Sequence, residues 1–215
     1  MKKSILSVTF ILLILTQAMF TSHAQEWKAG LDIYSSYVWR GTKFGSGPAF
    51  QPSIEFSAGS FSIGAWGSYS ASVDESPEAD LYAWYELSFG ETSSLILTVT
   101  DYYFPGTSWL EKESHFIEPL ATLNLGVLSL TGAYMMNSGE GDVYLEAGFT
   151  AGDFTLFVGG GDGAYSTDGD FNLCNIGIGA SKEIPITDTF SLPISGAAIL
   201  NPSSEQFHIV VGISL

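Results

Sequence analysis

The nine residues Phe207-His208-Ile209-Val210-Val211-Gly212-Ile213-Ser214-Leu215 carry an apolar side chain at every odd position. In a strand, successive side chains point to opposite faces, so Phe207, Ile209, Val211, Ile213 and Leu215 share one surface and His208, Val210, Gly212 and Ser214 the other. A soluble domain seldom ends on an unfrayed apolar strand. A transmembrane barrel needs one, because its last strand closes against its first and leaves no sheet edge exposed in lipid.

The opposite end reads as an address. Met1 to Ala24 joins Lys2 and Lys3 to an apolar stretch from Ile5 to Phe20 and a small-residue site at Ser22-His23-Ala24. That is the plan of a secretory signal peptide, and the expected domain division is a signal peptide over 1–24 and one barrel over 25–215. No cysteine follows the apolar stretch, so a lipid anchor is not expected.

Removing Lys2 and Lys3 from the seven basic residues leaves five against 23 acidic ones, a formal charge of −18. Nucleic acid is thereby excluded as a partner, since phosphate recognition needs clustered Lys and Arg. Yet only 14% of residues are charged, so charge is confined to short stretches between apolar ones. Such confinement suits loops outside a bilayer better than an evenly wetted soluble surface. Cys174 is the lone cysteine and reads as a small apolar strand residue.

No part of 25–215 approaches 18 consecutive apolar residues, so any membrane crossing must use strands. Alternation and turn residues predict twelve, at 26–40, 49–58, 60–71, 79–90, 93–104, 114–125, 127–138, 142–151, 153–162, 171–182, 189–200 and 205–215. The connections alternate between tight turns such as Ala58-Gly59-Ser60-Phe61 and longer, often acidic loops such as Pro105 to Glu113. An even strand number with short periplasmic turns and longer extracellular loops is the outer-membrane pattern. The expected fold is all-β: a single antiparallel transmembrane barrel in the outer membrane of a Gram-negative bacterium.

Parity sorts the faces. The lipid set includes Leu31, Ile33, Tyr37 and Trp39 on the first strand, Ile54 and Phe56 on the second, and uncharged residues throughout the rest, such as Leu81, Leu97, Leu130, Leu145 and Phe149. The inner parity collects the candidate pore-lining residues Asp32, Arg40, Glu55, Asp80, Trp84, Glu86, Glu118 and Glu146. A charge at the bilayer midplane costs about 2–4 kcal/mol, which is what this segregation avoids. Asp101 breaks the rule by following Leu95, Leu97 and Val99 on the lipid parity. Either a bulge turns it inward, the preferred reading, or it lies above the hydrocarbon.

Several blocks together resemble one family. They are Ser35-Ser36-Tyr37-Val38-Trp39-Arg40-Gly41, Pro48-Ala49-Phe50-Gln51-Pro52, Gly64-Ala65-Trp66-Gly67-Ser68, Glu78-Ala79-Asp80-Leu81-Tyr82-Ala83-Trp84-Tyr85 and Asp101-Tyr102-Tyr103-Phe104-Pro105-Gly106. In that order they resemble the Gcw conserved hypothetical proteins, also called TorF-type porins. The resemblance implies an outer-membrane barrel acting as a porin, with no established substrate and no catalytic residues. This chain departs from the family pattern at Thr42-Lys43 and ends on Leu215 where barrels commonly end on Phe, a detail that bears on the barrel-assembly machinery expected as a partner.

Catalysis, cofactors and metals find little support in the residues. After cleavage only His115 and His208 remain, and a Ser–His–carboxylate constellation has one weak candidate, Ser114-His115 near Glu111 and Glu113. An outer-membrane lipid-hydrolysing enzyme is therefore the second alternative, behind a non-conducting structural or adhesive barrel. The loop Asp162 to Asp170 gathers three carboxylates and two glycines, a composition calcium accepts, although its spacing does not match an EF-hand. Arg40, the only arginine, has two readings: a salt bridge bracing the barrel near its outer rim, or a selectivity residue in the pore. Inner carboxylates outnumber Lys28 and Arg40, so the expected function is a narrow passive channel for small cationic or neutral polar solutes. Tyr34, Trp66, Tyr82, Trp84, Phe116 and Phe157 also take inner parity and could narrow it.

Overall fold

The computed structural model describes residues 25–70, 77–136 and 141–215. The expected signal peptide lies outside the described residues. Twelve strands form the wall: β1 (Gln25–Tyr34), β4 (Ala49–Ala58), β5 (Phe61–Ser70), β6 (Glu78–Ser88), β7 (Ser93–Tyr103), β8 (His115–Leu125), β9 (Leu128–Met135), β10 (Asp142–Ala151), β11 (Phe154–Gly161), β12 (Asn172–Thr187), β13 (Phe190–Asn201) and β14 (Gln206–Ser214). Two short strands, β2 (Tyr37–Trp39) and β3 (Thr42–Phe44), pair only with each other.

The wall is a closed antiparallel barrel in which each strand pairs with its sequence neighbours and β14 returns to β1. That last seam is short. Asp32, Ile33 and Tyr34 stand opposite Ser214, Ile213 and Gly212, and Leu31 and Leu215 exchange backbone hydrogen bonds of 3.1 and 3.0 Å. At one end the hairpins turn tightly, with Gly59, Gly90, Gly126 and Gly152 all at positive φ, the conformation glycine adopts without steric cost. The other end carries the long loops.

Alternation partitions the wall as expected. Ile63, Leu81, Leu97, Val99, Leu130, Leu145, Leu156, Ile209 and Val211 form part of a large exposed apolar belt. An apolar surface this extensive exceeds what a monomeric soluble protein tolerates. The buried apolar cluster lies inside the barrel toward the long loops, where Ala133, Tyr144, Tyr165 and Cys174 pack with Trp39 and Leu120.

Three expectations change. The first strand does not run to Arg40: it stops at Tyr34, and β2–β3 folds back into the lumen, so Tyr37 and Trp39 are interior residues and not lipid-facing ones. The tenth wall strand, β12, continues to Thr187, with Glu183 to Pro185 pairing with Ser191 to Pro193 and a register shift beyond Pro185. Proline has no N–H to give to a ladder, and an irregularity accommodates it.

Asp101 supplies the third. β7 keeps an unbroken register with both neighbours, so no bulge turns it inward. Instead it stays on the outer face beside His115, whose Nδ1 lies 2.9 Å from its carboxylate while Nε2 meets the Trp109 carbonyl at 2.7 Å. Tyr103 and Trp109 pack against the imidazole, with ring centroids 5.5 and 4.7 Å away. The loop between β7 and β8 thus shields a carboxylate that the alternation leaves on the apolar side.

Removing one partner of a shielded polar pair costs more than removing both. His115→Leu should therefore lower the urea midpoint of barrels refolded in phospholipid vesicles, followed by tryptophan fluorescence. The double variant Asp101→Leu/His115→Leu should recover most of the loss; a double variant no better than the single would show that the pair is not coupled.

Candidate functional site: the lumenal hairpin and its clamp

The β2–β3 hairpin turns through Arg40 and Gly41, with φ of 48° and 81°. Positive φ at both central residues marks the two-residue hairpin turn that matches strand twist. Glycine takes this conformation freely; arginine does so at a cost of about 1–2 kcal/mol. What holds Arg40 there is its side chain.

Its guanidinium forms a fork with Glu118 of β8, Nη2 donating to Oε1 at 2.9 Å and Nη1 to Oε2. Nη1 also donates to the Tyr165 hydroxyl at 2.8 Å, and that hydroxyl donates to Glu118 Oε2 at 2.9 Å. Tyr102 of β7 donates to Glu118 Oε1 at 3.1 Å. The guanidinium lies over the rings of Tyr144 and Trp39, 4.3 and 4.5 Å from their centroids. Glu118 is 1% exposed and the Arg40 side chain 10%. Burial alone works against the arginine's charge, but the hydrogen bonds and charge of Glu118 more than offset it, so the guanidinium remains protonated.

The rest of the hairpin is held as firmly. A Cβ at Gly41 would stand 1.8 Å from the carbonyl oxygen of Cys174, so only glycine lets the turn approach β12 there. Cys174 is the extra residue where the β11–β12 register shifts between Gly159 and Gly160. The Asn201 amide of β13 donates to the Gly41 carbonyl at 3.2 Å. Across the lumen, Tyr37 packs on Trp66 of β5 and donates to Glu78 of β6 at 3.3 Å. Burial, then the Glu78 charge, raise the Tyr37 hydroxyl well above its ordinary titration range, so it stays a donor. The hairpin therefore touches β5, β6, β7, β8, β10, β12 and β13 and spans the bore.

Tyr165 belongs to a 3-10 turn, Gly163–Tyr165, in the acidic loop read for calcium. Two of the carboxylates of that loop are engaged in hydrogen bonds within the protein. Asp162 accepts the Val143 N–H at 2.6 Å, and Asp168 accepts the Asp170 N–H and the Asn172 amide. Among the described residues no group of three His, Cys, Asp or Glu side chains is placed to hold a metal ion.

Of the candidate pore-lining residues, Arg40 and Glu118 meet in the clamp. Glu55 lies nearer the short-turn end, accepting from the Trp84 indole at 3.0 Å and the Tyr82 hydroxyl at 3.1 Å. Glu146 accepts from Tyr144 and from Asn175 at 2.8 Å. Asp32 stands opposite Gln51, and Glu86 opposite Ile96 toward the short-turn mouth. Asp80 is buried opposite Trp66, and its Oδ1 has no hydrogen-bond partner. Against the hairpin a mostly apolar cavity of about 130 Å³ lies among Phe44, Phe104, Phe116 and Met135. Beneath it, half-way down the β4–β7 wall, a larger cavity of about 460 Å³ is bounded by Tyr37, Trp39, Trp66, Asp80, Tyr82 and Tyr102.

The sequence reading missed Tyr37, Trp39, Tyr102, Tyr144 and Tyr165 as site residues. The first two had a local signal, since Arg40-Gly41 is a possible two-residue hairpin turn five residues past the Ser35-Ser36 break. Tyr102 and Tyr144 had none beyond parity, and Tyr165, in a loop turn, had none.

A family model described as a bacterial protein of unknown function, Gcw_chp, matches residues 20–144, more than half of the chain. The chain belongs to this family. No curated protein matches it. The Gcw_chp span contains the hairpin, Glu118 and Tyr144, whereas Tyr165, Cys174 and Asn201 lie beyond it. The matched segment thus carries the fork and both stacking rings, Trp39 and Tyr144, and the following strands complete the socket.

Breaking a buried ion pair by deleting one partner costs about 3–5 kcal/mol. Arg40→Ala should lower the unfolding free energy by that order. Hydrogen exchange read by mass spectrometry should also accelerate at Tyr37–Phe44 while β9 and β10 amides stay protected. Unchanged exchange in the hairpin would mean that the clamp does not hold it.

Proposed function

We propose that this Gcw_chp barrel is an outer-membrane channel of a Gram-negative bacterium, a narrow passive path for small cationic or neutral polar solutes. The observation that carries the reading is the segregation of charge in a closed barrel: apolar side chains outside, with Asp32, Glu55, Asp80, Glu86, Glu118 and Glu146 on the inner face. A low-dielectric wall around like charges attracts counter-ions and repels anions. The short-turn end would face the periplasm and the long loops the exterior, with lipid around the belt and the barrel-assembly machinery as the partner for insertion. Catalysis has no part in this reading, since both His115 ring nitrogens are engaged by Asp101 and the Trp109 carbonyl.

A second reading, a non-conducting structural or adhesive barrel, is favoured by the hairpin that spans the bore. Planar-bilayer recording decides between them. The channel reading expects small current steps with reversal potentials favouring cations, and larger steps for Arg40→Ala. Silence from both proteins would favour the structural barrel, and anion preference would overturn the proposed selectivity.

Depth within the membrane has its own test. Leu97→Arg, at the middle of β7, should destabilise the vesicle-embedded barrel by about 2–4 kcal/mol, and Leu125→Arg, beside the short turn after β8, by about 0–1 kcal/mol. Equal costs, measured by urea unfolding in vesicles, would count against a hydrocarbon layer around β7.

A further inference from the structure

The 460 Å³ cavity beneath the hairpin has a composition that the channel reading does not use. Tyr37 and Trp39 of the hairpin face it together with Trp66, Tyr82 and Tyr102 of the wall, and Asp80 is the carboxylate among them. Each tyrosine hydroxyl is already committed, Tyr37 to Glu78, Tyr82 to Glu55 and Tyr102 to Glu118. The tyrosines therefore have their rings, more than their hydroxyls, to offer an occupant. Donation to a carboxylate also adds electron density to the ring, which favours a cation against its face.

Asp80 points to the sign of the occupant. It is 6% exposed, it hydrogen-bonds the neighbouring Glu78 carboxyl while its Oδ1 has no partner, and it pairs with no cation among the described residues. Two buried carboxyls in hydrogen-bond contact share a proton unless a counter-charge is near, and an occupying cation would supply that charge. A bare inorganic ion makes little use of aromatic walls, and a neutral sugar makes little use of the charge. A positively charged nitrogen bearing carbon substituents uses both.

We propose that this cavity binds an organic ammonium ion, its charge set against Asp80 and its alkyl groups against the aromatic rings. The inference rests on the same acidic lumen as the channel reading but not on conduction. Choline is a suitable probe, with dimethylbutanol, in which carbon replaces the charged nitrogen, as its neutral isostere.

The full mature barrel in detergent micelles would be titrated with each by calorimetry and by tryptophan fluorescence. Choline should bind at least about tenfold more tightly than the isostere, a difference within the range of a desolvated cation–ring contact. Asp80→Asn should reduce choline affinity by about tenfold or more. Trp66→Leu, which keeps the carboxylate, should also weaken binding, and it decides the matter if Asp80→Asn does not fold. Absence of choline binding, equal binding of the isostere, or displacement of choline by glucose or by equimolar sodium would overturn the proposal. Choline binding with silent bilayers would remove the channel and leave the cage; conductance without choline binding would do the reverse.

Discussion

In a sheet whose outer face is apolar, each backbone N–H and C=O along an edge lacks a partner unless the sheet closes on itself. Everything else in this molecule follows from that closure. The seam is narrow, with Leu31 to Ser35 of β1 and the segment after it meeting Val211 to Leu215. Once it forms, every side chain on the wall points either into the lumen or away from it, and the inner carboxylates are enclosed together. Few donors are available inside to meet them. Tyrosine hydroxyls, the Trp84 indole and the Asn175 amide supply some, and Arg40 supplies the only guanidinium in the chain.

The clamp shows how that scarcity shapes the fold. A buried ion pair is a weak source of net stability, because both charges lose their water. Its strength is directional. The fork between Arg40 and Glu118, closed by Tyr165 and Tyr102, is available only if the hairpin turns into the bore, and it offsets the left-handed backbone at Arg40. The small clearance at Gly41 adds a steric condition, since the turn must lie on the Cys174 carbonyl. Charge and shape together choose the inward hairpin over an extended first strand. The same hairpin becomes the roof of the aromatic cavity, so the element that narrows the lumen also completes a place within it where a ligand could rest.

Period-two alternation made the wall legible. Residues 49–58 and 142–151 form strands over the bounds that alternation sets, and the remaining wall strands differ mostly at their ends. Alternation failed where a residue kept its parity but changed its surroundings. Tyr37 and Trp39 continue the apolar parity of Leu31 and Ile33, yet the break after Tyr34 carries them inside. Asp101 keeps the lipid parity that charge would forbid, because the Trp109 loop and His115 return to cover it. The acidic loop resembled a calcium site by composition, but Asp162 accepts from the β10 backbone and Asp168 from the loop's own, while Tyr165 reaches the clamp.

The one-dimensional pattern determined the all-β class, the strand count, the inner and outer faces and the sign of the lumen, because those depend on which neighbours along the chain are apolar. Only the tertiary structure decided that Arg40 meets Glu118, that Tyr165 arrives from a loop more than a hundred residues away to share it, and that Asp80 stands in an aromatic cavity. These contacts join residues far apart in the chain, and the cavity forms only where the hairpin roofs the β4–β7 wall. No local periodicity encodes them, since they depend on the register and circumference of the whole sheet.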